Sequence, residues 1–297
     1  MTDDQTIKKN FKPLPVVAIG ASAGGIQAIK ELLENLSPET GLAYIYIQHL
    51  DPVFESKLTE ILQRETKMKV QEVSDYIKLE PNHIYVIPPN KEMDMIDGAI
   101  RLKPRNAGPG LHMPIDHFFL SLAEKYQDAS IGIVLSGSAS DGTLGLKAIK
   151  TAGGITIAQD ETAQFQGMPR SAISEGVVDM VLRPSEMAKE LERLSRKTEI
   201  MNQIFYSKDD TEIGDDDKDL TGILHLLKKS TSVDFFHYKM KTIKRRIIRR
   251  MLLHRLDSLS EYLVYVKQHA EEIDLLYQDL LINVTSFFRD SDTLEYL

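Results

Sequence analysis

The chain has 297 residues, of which 42% are hydrophobic and 27% charged, with a net charge of −8 and no cysteine. That length fits one large or two ordinary domains, and the composition excludes a collagen-like, low-complexity or wholly disordered chain. Without thiols, disulfides, Cys-ligated zinc, iron–sulfur clusters and thiolate nucleophiles are excluded. Any chemistry must therefore use hydroxyl, imidazole, carboxylate or amine groups.

Residues 1–13 form an N-terminal arm with no apolar run, so no signal peptide is expected. The longest uncharged stretch, residues 13–29, holds three glycines and two prolines and is too short for a membrane helix. A cytoplasmic protein is expected, and the acidic balance argues against a general nucleic-acid binder.

In chain order, a β-type run at 15–19 (PVVAI) meets glycines and then a helical pattern at 26–34. Further strands are expected at 43–48 (AYIYIQ), 83–87 (HIYVI), 130–135 (SIGIVL), 155–158 and 177–182, with a helix at 144–151. Continuous β-branched runs alternating with helices predict an α/β fold, a doubly wound, mainly parallel sheet. In such sheets chemistry gathers at the carboxyl ends of the strands. This α/β domain is assigned residues 14–195, ending in a helix from about 185.

Residues 207–219 carry seven acids against two lysines, which predicts a linker, assigned to 196–219 with the end of that helix. From 220 to 297 the strand pattern vanishes. Helical patterns at 220–229, 238–256, 260–268 and 273–281 predict a small all-α domain, and residues 235–256 hold eight Lys and Arg with no acid.

Gly20-Ala21-Ser22-Ala23-Gly24-Gly25 follows the first strand and opens a helix. Small residues let the backbone turn sharply and lift a hydroxyl out beside helix N–H groups that can meet an oxyanion. Alone, this string equally suits a phosphate-cradling or merely tight turn. A serine nucleophile needs a base and an orienting acid. His49 ends the second strand, and Asp141 follows the 130–135 strand, so all three groups sit at strand carboxyl ends. The order Ser–His–Asp differs from that of α/β-hydrolases. A lone histidine or an Asp-Gly turn also has structural uses.

The pieces IGASAGG (19–25), QHL (48–50), SGSASDGTLGLKAIKTAGG (136–154) and AQDETAQFQGMPRSAI (158–173) resemble the catalytic domain of CheB-type protein-glutamate methylesterase. The resemblance covers about residues 14–190 in the family's motif order. It implies a doubly wound α/β fold, Ser22 as nucleophile, His49 as general base and Asp141 as orienting acid. It also implies backbone oxyanion donors at Ala23 and Ser138. The family loop commonly reads TGMGxDG, so Ser138 stands for Met and Ala139 for Gly, a residue that adopts positive φ more cheaply. The family's receiver domain finds no room in residues 1–13, so control by an attached receiver is not expected. The implied reaction hydrolyses glutamate methyl esters, and deamidates glutamine, on a chemoreceptor or receptor-like signalling protein, with no cofactor and no metal. A metal site in the His112–His117 cluster (HMPIDH) is disfavoured because Met-Pro breaks helical ligand spacing; the resemblance makes this segment a structural loop near the cleft.

In residues 238–256, Ile243, Ile247, Met251 and Leu252 recur at helical spacing as a core face, with Arg245, Arg246, Arg249 and Arg250 around the rest. A solvated basic face, a nucleic-acid patch or a docking face for an acidic partner all fit that pattern. With NVTSFFRD (283–290), the run YKMKTIKRRIIRRM resembles the N-terminal helical domain of CheR-type receptor methyltransferase, over about residues 220–297. That resemblance implies that the four arginines dock an acidic receptor segment. It also implies that Asn283, Thr285 and Arg289 help hold S-adenosylmethionine, while Asn283 and Thr285 equally suit helix capping. Ending at 297, the sequence is expected to be the front of a longer esterase–transferase fusion, with no complete transferase site. The leading expectation is thus a methylesterase. The alternatives are a catalytically weak scaffold of a sensory fusion protein, favoured by the changed Ser138-Ala139 loop, and a small-ester hydrolase of the same mechanism.

Overall fold

Six residues without a polar side chain, Val16–Ala21, form strand β1, and every one is buried. A strand covered on both faces must be apolar throughout, which explains the lack of alternation. The computed structural model describes residues 14–49, 57–96, 98–105, 112–205 (backbone alone from 198) and 218–281. The chain continues through α1 (Gly25–Glu34), β2 (Ala43–Gln48), α2 (Leu58–Gln63), β3 (Lys69–Glu72), β4 (Ile77–Lys78) and β5 (His83–Val86). A hairpin, β6 (Lys91–Ile96) and β7 (Ala99–Pro104), precedes α3 (Pro114–Tyr126), β8 (Ser130–Val134), α4 (Thr143–Ala152) and β9 (Ile155–Gln159). The α/β part closes with α5 (Gly167–Ser174), β10 (Met180–Leu182) and the long α6 (Pro184–Phe205).

The main sheet has the order β10-β9-β8-β1-β2-β5-β3 and all its pairings are parallel. From β1 the chain winds outward through β2 and later returns to β8 on the other side. The topological switch therefore lies between β1 and β8, where an α/β sheet opens its ligand crevice. One core packs α1 and α6 on one face of the sheet, and a second packs α3, α4 and α5 on the other. Among the described residues no helix is long and apolar enough to cross a membrane.

Several elements go beyond the sequence expectation. The antiparallel sheet β4-β7-β6 and the helices α2, α3 and α5 were not foreseen, and the expected strand at 177–182 shortens to β10. Pro114, expected to break a helix, instead opens α3 at its first position, where its missing N–H costs nothing.

The remaining helices are α7 (Lys218–Thr231), α8 (Met240–Leu253), α9 (Leu259–Gln268) and α10 (Ala270–Leu281). Ser258 caps α9 by accepting the Glu261 N–H at 3.1 Å, while Glu261 reaches back to the Asp257 N–H. Leu220, Ile223, Leu224 and Leu227 of α7 join Ile243, Ile247 and Met251 of α8 in the same apolar cluster that covers α1 and α6. The acidic stretch 206–217 lies outside the described residues.

Candidate active site

Ser22 follows β1 directly, and its N–H donates to the Ser136 carbonyl at 3.0 Å, tying it to the loop after β8. Gly24 makes the turn at φ 73°, and a Cβ there would lie 2.6 Å from Ser136 Oγ. Both conformation and space therefore demand glycine. At Gly137 a Cβ would lie 2.0 Å from Met168 Sδ and 3.0 Å from Ser22 Cβ, so the two loops can approach only without a side chain.

His49 comes one residue after β2, its N–H donating to the Ala21 carbonyl at 3.2 Å. Its Nδ1 lies 3.4 Å from Ser22 Oγ and its Nε2 lies 2.7 Å from Asp141 Oδ2. With the Nε2 proton on the carboxylate side, Nδ1 turns a lone pair to the serine. Asp141 is fully buried. Its Oδ2 also accepts the Ile115 N–H at 3.1 Å and its Oδ1 the Asp116 N–H at 2.9 Å, so the first turn of α3 holds the carboxylate. In exchange, Asp116 Oδ1 accepts the Gly145 N–H at 2.7 Å in the first turn of α4. Burial, aided by the neighbouring Asp141 charge, raises the Asp116 carboxyl above its usual range against the backbone donors that lower it.

The residues of the HMPIDH segment point apart. His112 Nδ1 lies 3.5 Å from Glu92, His117 Nε2 lies 2.6 Å from Asp94, and Asp116 faces α4. Burial first, then Arg105, pulls the His112 imidazole below its usual value. Among the described residues, no protein acceptor takes the Ala23 or Ser138 N–H. Ala139 adopts φ 63°, the left-handed conformation that suits the glycine usual at this position.

Sequence reasoning missed three supporting groups. Ser136 is buried and its Oγ donates to the Ala23 carbonyl at 2.8 Å while accepting the Phe165 N–H at 2.9 Å. Gln159 Oε1 accepts the Ser136 N–H at 2.9 Å. Gln48 donates to the Ser22 carbonyl at 2.8 Å. All three stand inside the motif pieces 48–50, 136–154 and 158–173, but the string alone does not assign them these bonds.

The four arginines of α8 do not form an open docking face, which corrects the expectation for them. Arg249 is 2% exposed and donates Nε to the Gly154 carbonyl at 2.9 Å, Nη1 to Asp279 at 2.7 Å and Nη2 to Asp179 at 2.6 Å. Arg246 reaches the Lys150 and Thr151 carbonyls at the end of α4 at 3.4 and 2.5 Å. Arg245 meets Gln127 and Asp128 at 2.8 and 3.7 Å. Arg250 pairs with Glu272 inside the helical domain. These charges turn toward carboxylates and helix-end carbonyls of the chain itself, although the buried Nε of Arg245 and of Arg246 donates no hydrogen bond among the described residues. Asn283, Thr285 and Arg289 lie outside the described residues.

A hydroxyl, an imidazole and a buried carboxylate in line at the switch crevice of a parallel sheet are the equipment of a serine-type acyl hydrolase. The pattern of the CheB methylesterase family matches residues 17–191, more than half of the chain, and the chain belongs to that family of carboxylic ester hydrolases. The all-alpha domain of CheR methyltransferase matches residues 218–281. A 104.1 kDa uncharacterized Rhodobacter capsulatus protein is 35% identical over 81% of this chain and 27% of its own length. Protein-glutamate methylesterase/protein-glutamine glutaminase 1 of Carboxydothermus hydrogenoformans is 38% identical over 62% of this chain and 55% of its own. The chain thus spans about a quarter of the first and about half of the second. A putative protein of the same methylesterase/glutaminase name from Leptospira interrogans is 33% identical, over 61% of this chain and 94% of its own length. The crystal structure of the Thermotoga maritima CheB methylesterase catalytic domain superposes with a TM-score of 0.56 and 29% identity, covering 61% of this chain and 98% of that one.

Proposed function

We propose that this chain hydrolyses the methyl ester of glutamate side chains on a chemoreceptor or receptor-like signalling protein, in the cytoplasm. The observation that carries the reading is the line Ser22 Oγ, His49, Asp141, with its contacts of 3.4 and 2.7 Å. His49 Nδ1 takes the hydroxyl proton as Ser22 Oγ bonds to the ester carbon. The Ala23 and Ser138 N–H groups receive the oxyanion. Collapse breaks the bond to the methoxy oxygen, which leaves with the proton from His49 as methanol. Water then attacks the acyl-serine, its proton passing through His49 to Ser22 Oγ as the free glutamate is released. The same steps on a glutamine side chain release ammonia, in keeping with the double name of the relatives.

No cofactor enters these steps. S-adenosylmethionine would belong only to a transferase part that completes the helical domain. The test is methanol release from methyl-esterified receptor, comparing the chain with Ser22→Ala. Serine-dependent release supports the reading, and equal release from both proteins removes Ser22 as nucleophile.

A further inference from the structure

The peptide group between Ser22 and Ala23 is gripped from behind. Its carbonyl oxygen accepts from Gln48 Nε2 at 2.8 Å and from the Gly25 N–H at 3.0 Å. Gln48 is the last residue of β2, buried, and next to His49. Its oxygen in turn accepts the Tyr46 hydroxyl at 2.5 Å. The Ser22 carbonyl can only accept, so the amide must turn its nitrogen that way and its oxygen to the tyrosine. Burial raises the Tyr46 pKa and keeps that hydroxyl a donor. Room for the arrangement comes from Gly25, where a Cβ would lie 3.0 Å from Gln48 Oε1 and 3.4 Å from Tyr46 Oη.

In a trans peptide the C=O and the next N–H point to opposite sides of one plane. Holding the Ser22 carbonyl therefore fixes where the Ala23 N–H points. Hydrogen bonds in series also polarise one another, so the row Tyr46, Gln48, Ser22 carbonyl strengthens the Ala23 N–H as a donor. Building on the esterase reading above, we propose that Gln48, backed by Tyr46, is a positioning residue that aims and polarises the Ala23 N–H at the oxyanion. Its neighbour just past β2 supplies the base, so one strand end serves both halves of the reaction.

Gln48→Met keeps length and removes both hydrogen bonds, and Tyr46→Phe removes only the outer donor. Loss of one oxyanion donor costs about 10²–10³ in kcat, so Gln48→Met should lose roughly 10²-fold in kcat with KM within about twofold. Tyr46→Phe should lose about threefold, less because only polarisation is removed. Affinity for an alkylboronic acid, whose serine adduct carries the same oxyanion, should fall in parallel with kcat/KM. A merely structural glutamine would not move the two together. A folded Gln48→Met protein with kcat within twofold of the parent overturns the proposal. So does a crystal structure of that variant with the Ser22–Ala23 peptide plane unrotated, a result that needs no activity. Should Gln48→Met fail to fold, a Tyr46→Phe protein with unchanged kcat and boronate affinity overturns it instead. Hydrolysis by Ser22→Ala at the parent rate would sink the esterase reading separately, and the peptide plane would still decide this one.

Discussion

The α/β sheet holds a buried carboxylate at each of its two ends, and they are held in opposite ways. At the carboxyl ends of the strands, Asp141 accepts two backbone N–H groups and one imidazole. At the amino ends, Asp179 takes Arg249, Lys150 at 3.2 Å, and the N–H and hydroxyl of Thr156. Among the described residues no Lys or Arg pairs with Asp141, so on the proposed esterase reading the charge that it balances would appear and vanish on His49 during turnover. Asp179 is clamped by permanent cations and its task is mechanical, joining the helical domain to the sheet. Burial pushes Asp179 up, and the Arg249 and Lys150 charges overcome it and hold the carboxyl below its usual range. Helix α4 runs between the two ends, its first turn held by Asp116 and its last carbonyls by Arg246.

The comparison breaks first at Ser22. Ser22→Ala should lower kcat for ester hydrolysis by about 10⁴-fold or more, measured as methanol release. Stability in urea should change by no more than about 0.5 kcal/mol, since the hydroxyl packs against little. A stability loss well beyond that would make Ser22 part of the scaffold.

At the other end the expectation inverts. Arg249→Ala takes the shared guanidinium from buried Asp179 and Asp279, leaving Asp179 with Lys150 and Thr156, a loss of about 3–5 kcal/mol, read from urea denaturation of the whole chain. Turnover by the folded fraction should stay within about twofold. A large fall in kcat would show that α4 couples the two ends, and the separation of roles would fail.

How legible each end was in the sequence follows from the same contrast. Ser22 and His49 directly follow strand runs and Asp141 closes the small-residue loop after a third, so a local pattern places them. The hairpin β6–β7 also had a signal, an Asp-Gly pair between two strand-length runs, and the charged residues in those runs hid it. Met113-Pro114 reads as a break by helical ligand spacing, yet proline is favoured in the first position of a helix, where Pro114 stands. The arginines of α8 had no readable signal. Arg249 finds Asp179 across 70 residues of chain, and no periodicity in α8 says whether its charges face solvent or another domain. Gln48 stands inside the QHL piece, but its proposed work depends on Tyr46 and on a carbonyl brought in from another strand end.

Acid sharpens the mechanical half of the comparison. Burial raises the Glu272 carboxyl, but hydrogen bonds from Arg250 and His254 and the Arg250 charge outweigh it and hold the group at about 2. An unfolded glutamate titrates near about 4.3. A depressed folded value means that the contribution is whole above that pH and is lost as pH falls from about 4.3 to about 2, up to roughly 3 kcal/mol. Glu272→Gln should flatten this part of the stability–pH curve. An unchanged slope in that variant would assign the acid sensitivity to another carboxylate, with Asp179 next in line.

The smallest effect lies where the two demands meet, at Ala139 in the loop that carries Ser138. Its φ of 63° puts a Cβ against the following carbonyl, a strain of about 1–2 kcal/mol for a non-glycine residue. Glycine would relieve that strain, and its freer unfolded chain would take back about 0.4–1 kcal/mol. Ala139→Gly should therefore gain roughly 0.5–1 kcal/mol in urea denaturation. The loop is also held from outside: Met168 donates its N–H to the Gly137 carbonyl at 3.0 Å, and Gly167 packs so closely that a Cβ there would lie 2.8 Å from Ala139 N. With that support the Ser138 N–H should keep its aim, and kcat should stay within about twofold. A gain in stability with a matching loss of rate would mean instead that the strained alanine itself holds the donor in place.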